Sequence, residues 1–136
     1  MKKLLVLLAI VSLTGCSTIE TLKETFLMKY DTNEYAQISA IRTTAELSKE
    51  SCNKPEESKV NATTLTHQTA LFKNHTEFLP YNSKVIAAAG ELDKIATGLL
   101  TQYQKGSVST AFCKIKFGSV AQSAETMQKI IGAKPR

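Results

Sequence analysis

Signatures of catalysis are what this sequence lacks. It holds no His-Glu-x-x-His, no Cys-x-x-Cys, no Cys-x-x-Cys-His, no glycine-rich phosphate loop and no Gly-x-Ser-x-Gly elbow. Those absences remove the common zinc, thiol-redox, c-type haem, nucleotide-binding and serine-hydrolase patterns. Histidine occurs twice, proline three times, glycine six times and tryptophan never. Charged residues are only 21% of the chain, against 43% hydrophobic, so a core can form and disorder is excluded. A length of 136 residues leaves room for one small domain. The longest apolar run, from Leu4 to Leu13, is broken by Ser12. As a helix it would rise about 15 Å, half a bilayer core, which excludes a stable span.

That run has another use. Met1-Lys2-Lys3 is a basic start, and Leu13-Thr14-Gly15-Cys16 closes the apolar stretch. The arrangement reads as an export signal. The last four residues resemble the lipobox of bacterial lipoproteins. The resemblance covers the first 17 residues and implies diacylglycerol on the Cys16 thiol, cleavage before Cys16 and acylation (palmitate-type) of the new amine. Several chains on one residue anchor stably, where one chain is marginal. Ser17 follows the cysteine. In enteric lipoproteins an Asp there retains the protein at the inner membrane. The resemblance therefore favours the outer membrane, facing the periplasm, over the inner membrane or the cell surface.

Cleavage leaves residues 16–136. Loss of Lys2 and Lys3 lowers the formal net charge from +5 to +3. No two basic residues remain adjacent, so there is no nucleic-acid footprint. A mild attraction to anionic head groups or cell-wall polymer is compatible with this charge. Of three cysteines, two remain once Cys16 is lipidated: Cys52 and Cys113. In an oxidising compartment an even remainder points to a disulfide.

The mature chain reads as helices. Ile19, Leu22, Phe26 and Tyr30 are spaced for an amphipathic tether over 18–30. Asp31 is a cap and Glu34 its capping-box partner, opening a helix over 32–52 whose stripe is Ile38, Ile41, Ala45, Ser48 and Cys52. Pro55 starts a second helix over 56–79, with Leu65, Phe72 and Leu79 in one heptad row and Thr64, Leu71 and Phe78 in a row beside it. Ser83 caps a third, striped by Val85, Ala89, Leu92, Ala96, Leu99 and Tyr103. Gly90 and Gly98 inside it would admit a close neighbour. Ser107 or Ser109 caps a fourth, striped by Cys113, Phe117, Val120, Ala124, Met127 and Ile131. Gly132 stops it, leaving Lys134-Pro135-Arg136 as a free tail.

Four helices of nearly equal length with loops of three or four residues predict an all-α, up-down-up-down four-helix bundle. The expected organisation is a cleaved signal peptide (1–15), a lipid-anchored tether (16–30) and the bundle domain (31–136). That topology puts the end of helix one beside the start of helix four, which brings Cys52 to Cys113. The ring they close spans about 60 residues, which limits the entropic gain to roughly 4 kcal/mol.

Candidate chemistry is sparse. His67 and His75 lie eight apart on one helix, about 80° and 12 Å from each other, so they cannot share a metal. A b-type haem would need Met28 or Met127 with one of those histidines, and Met127 sits on the apolar stripe. The carboxylates lie off the drawn stripes, and Glu56-Glu57 fit the first turn of helix two. Asn61-Ala62-Thr63 and Asn74-His75-Thr76 match the glycosylation pattern but carry no meaning in a bacterial-type lipoprotein. Arg42 borders the stripe as an edge arginine or a partner contact. Tyr30, Tyr35, Tyr81 and Tyr103 lie near helix ends, as contact surface or bundle plugs.

No catalytic, metal-binding or cofactor-binding residue emerges. The expected function is a non-enzymatic binding module held to the membrane by its lipid, with an envelope protein or the cell wall as partner. The plan also resembles small lipoproteins of bacteria and their phages. That implies two phage roles as alternatives: an outer spanin-like lysis subunit, against which three prolines count, or a superinfection-exclusion protein. A bundle carrying a small ligand or haem is a further alternative.

Overall fold

The computed structural model describes residues 27–136. Four helices follow in order: α1 (Thr32–Ser48), α2 (Pro55–Glu77), α3 (Ser83–Lys105) and α4 (Thr110–Gly132). A 3-10 turn, Lys49–Ser51, extends α1 toward its loop. The helices pack as an antiparallel bundle, with α1 most extensively against α4 and α2 against α3. The α1–α2 and α3–α4 seams are looser. The signal peptide, Cys16 and all of the tether before Leu27 lie outside the described residues.

Local chemistry sets the helix starts. The Asp31 carboxylate accepts the Glu34 N–H at 2.7 Å, and the Ser109 hydroxyl accepts the Phe112 N–H at 3.2 Å. Pro55 occupies the first turn of α2, with Glu56 and Glu57 beside it. Two expectations fail here. Asn82, not Ser83, stands at the cap position of α3, and its side chain makes no capping bond. The Glu34 side chain does not reach back to form a capping box. Both side chains turn inward instead, to a cluster described below.

Every expected stripe residue of α3 and α4 is buried. So are Ile38, Ile41, Ala45, Ser48 and Cys52 from α1 and its turn. Cys52 and Cys113 are disulfide-bonded, with Cα atoms 5.7 Å apart. Beside them the α1–α2 corner is knitted by serines. Ser58 Oγ donates to the Ser51 carbonyl at 2.6 Å, and Asn61 Nδ2 donates to Ser51 Oγ at 2.7 Å.

Two further corrections concern packing. An added Cβ at Gly90 or Gly98 would meet nothing within 4 Å, so neither glycine serves a close helix crossing. In α2 the two heptad rows part company. Leu65 and Phe72 are buried with Ser58, Ala62, Thr69 and Thr76, whereas Leu71 and Phe78 of the neighbouring row are exposed. One helix can bury only about a third of its circumference against two neighbours, so the second row is left outside.

Candidate functional site

At the end of the bundle where α1 begins, the apolar stripes give way to polar groups. Stepping each stripe one place further lands on Glu34 in α1, Thr76 in α2, Asn82 before α3 and Lys134 after α4, all buried. Lys134 Nζ donates to Glu34 Oε2 at 2.5 Å and to Asn82 Oδ1 at 2.7 Å. Asn82 Nδ2 donates to Glu34 Oε1 at 2.7 Å. The three side chains thus satisfy one another, which a buried ion pair requires. The tail is therefore not free. Its Pro135 carbonyl also accepts the Tyr30 N–H at 2.8 Å, and the Arg136 guanidinium lies over the Tyr30 ring. The carboxylate of Glu34 sits on a stripe after all.

Next to this cluster, His75 Nε2 and Asp31 Oδ1 are 2.9 Å apart. The Asp31 carboxyl is held below its ordinary pKa by the Glu34 N–H first and by His75 second. His67 is exposed and far from this pair along the helix, so the two histidines serve different surroundings. Among the described residues no three His, Cys, Asp or Glu converge as metal ligands. Met127 is core, and Met28 is half-buried. Arg42 is an edge residue: its Nε pairs with Glu46 at 3.0 Å and its Nη1 donates to Gln128 at 3.2 Å. Tyr103 is buried in the core cluster, Tyr35 packs on it, and Tyr81 is exposed.

The looser α1–α2 seam opens into a groove of about 380 Å³ lined by Gln37, Ala40, Gln68, Leu71 and His75. The Oε1 atoms of Gln37 and Gln68 are buried there without a hydrogen-bond partner. An unmet buried acceptor costs about 1–3 kcal/mol, and a bound donor would recover it. Leu71 beside them is 66% exposed, and Leu47 and Val60 extend the apolar character outside the groove.

The chain matches no protein family, no curated protein and no solved structure.

The groove holds no nucleophile–base pair. Its chemistry is recognition: an apolar wall from Ala40 and Leu71, two amide acceptors, and a histidine oriented by a carboxylate. The signal for it lay in the second heptad row, Thr64, Leu71 and Phe78, which ran parallel to a row already sufficient for the core. The polar end cluster was legible only by extending four stripes at once.

Proposed function

We propose that this protein is a non-enzymatic interaction module of the bacterial envelope, exported by residues 1–15, lipidated at Cys16 and held at the periplasmic face of the outer membrane. The lipobox resemblance and the export-type N-terminus support the anchor, and the paired Cys52 and Cys113 fit an oxidising compartment. The α1–α2 face is the binding surface.

One observation carries this reading. Helix α2 places hydroxyl residues at core positions, Ser58, Thr69 and Thr76, while Val60 and Leu71 stay in solvent. A helix that buries Leu65 and Phe72 yet keeps a second apolar row in solvent, with two unpartnered acceptors beside Leu71, is shaped for a partner that brings apolar surface and N–H donors.

A photo-crosslinking residue placed at Leu71 in the full lipoprotein tests the surface in cells. One discrete adduct is expected from position 71 and none from Ser119 on the diagonal helix α4. Gln68→Ala should weaken the adduct, and Cys16→Ala should abolish it by removing the protein from the membrane. Identical patterns from positions 71 and 119 would sink the assignment.

A further inference from the structure

The two ends of the bundle differ, and the difference points at a bilayer. The end where α1 starts also carries the α2–α3 loop, Phe78-Leu79-Pro80-Tyr81. Phe78 is 88% exposed and Tyr81 51% exposed, at the tip of the fold. Tyr81 has φ 57°, a left-handed conformation that a bulky side chain adopts at a cost. Leu27, another exposed apolar residue, enters at the same end. Lys84, three residues past Tyr81, and Lys29 and Arg136, in the segments that meet at Tyr30 and Pro135, are exposed cations at this end, with Glu77 an exposed acid and Asp31 a half-buried one. The buried pair of Glu34 and Lys134 is already satisfied and adds no free charge to the surface.

The anchored chain joins the fold at this end, where Tyr30 meets Pro135, so the loop lies at the end nearer the tether and the disulfide at the farther one. Cys16 and Leu27 are eleven residues apart. Fully extended, that is at most about 40 Å. The disulfide end of the bundle stands a further 30–35 Å away, roughly one helix length.

We infer that the Phe78–Tyr81 loop, with Leu27 beside it, inserts into the headgroup–acyl boundary of an anionic bilayer. The inference rests on the lipid-anchor reading. Phe and Tyr are suited to this boundary, where an apolar ring body meets wet head groups. The flanking lysines and arginine meet the anionic surface within a Debye length. Anchor and loop act together, because the tether holds the loop at high effective concentration over the membrane. The bundle then stands on its polar-cluster end, with the α1–α2 face directed sideways and the disulfide end away from the lipid.

The chain has no tryptophan, so one introduced indole reports alone. Phe78→Trp and Ile115→Trp are each made in the full chain, expressed with its signal and purified. Ile115 is an exposed residue two positions past Cys113, at the other end. Each protein is placed with vesicles of phosphatidylethanolamine and phosphatidylglycerol carrying brominated acyl chains. Insertion of about 5–10 Å should blue-shift the indole of the Phe78→Trp variant and quench it at least about twofold more than that of the Ile115→Trp variant. The mass of the N-terminal peptide reads the anchor separately, by the acyl adduct on Cys16. An adduct with equal, weak quenching of both indoles overturns the docking and leaves the anchor intact. No adduct, with the position-78 indole still quenched, overturns the anchor and keeps the docking surface. No adduct and no quenching overturns both. Tyr81→Trp repeats the reading from the other side of the loop, should Phe78→Trp perturb folding.

Discussion

Lys134 places its ammonium in the core end of the bundle, with side-chain exposure of 2%, against a fully buried Glu34. Removing one member of such a pair leaves a buried charge uncompensated, which typically costs about 3–5 kcal/mol. Lys134→Met should therefore lose stability of that order in chemical denaturation. The double variant Glu34→Met/Lys134→Met should lose clearly less than the sum of the singles. Additive losses would mean the two side chains do not meet. Asp31 sets an acid limit. Its pKa is depressed in the fold, so its stabilisation is complete above the unfolded carboxylate value and disappears as pH falls through the folded one. Asp31→Ala should cost about 0.5–2 kcal/mol near neutral pH, and the gap to the parent should close below about pH 4. Melting curves from pH 7 to pH 2 would show it. A gap that persists at the acid end would assign the loss to something other than the carboxylate. Gly98 lies inside α3 with open space where a Cβ would be. Gly98→Ala should stabilise by about 0.5–1 kcal/mol, and a destabilised variant would reveal a neighbour at that face.

At the scale of helices, legibility followed the strength of the pattern. The stripes of α3 and α4 were readable residue by residue because one apolar row dominates each. Helix α2 was not, because Leu65–Phe72 and Leu71–Phe78 offer two rows of similar weight. Burial chose the row that also contains Ser58, Ala62 and Thr69, whose small or hydroxylic side chains fit close crossings; Thr69 Oγ1 donates to Asp93 on α3 at 2.9 Å. Hydrophobicity alone carries no such information. The helix ends misled for a related reason. Glu34, Asn82 and Lys134 each fit a local role, as capping-box acid, turn residue or tail cation. Their actual partners lie 48 to 100 residues away in sequence. The groove could not be read from one stretch of sequence, since Gln37 and Gln68 become neighbours only across the α1–α2 seam. Because Leu71 is outside the core, Leu71→Lys should shift stability by no more than about 0.5 kcal/mol while removing the crosslink expected at that face. A large loss of stability would return Leu71 to the interior.

For the whole molecule, topology is legible in periodicity and loop lengths and the disulfide in cysteine number, and the disulfide joins the two helices that topology makes neighbours. Cys52→Ser and Cys113→Ser should lower the melting temperature equally, and the double variant should lose no more than either. Unequal or additive losses would break the pairing in solution. The fold also has a mechanical reading. Helices α1 and α4 are joined covalently at one end by Cys52–Cys113. At the other they are clasped by Glu34–Lys134 and by the Tyr30–Pro135 main-chain bond. They form a closed frame, and the α2–α3 hairpin is held to it by side-chain packing, two loops and the hydrogen bonds of Ser58, Asn61, His75 and Asn82. A pull applied where the chain enters at Tyr30 is shared at once with the last residues of the chain. Peeling of α1 from α4 is blocked at the disulfide end and resisted at the other by the clasp. Tension between the two ends of the described chain runs through α1, the disulfide and α4, and bypasses the hairpin, which lies inside the ring that Cys52–Cys113 closes.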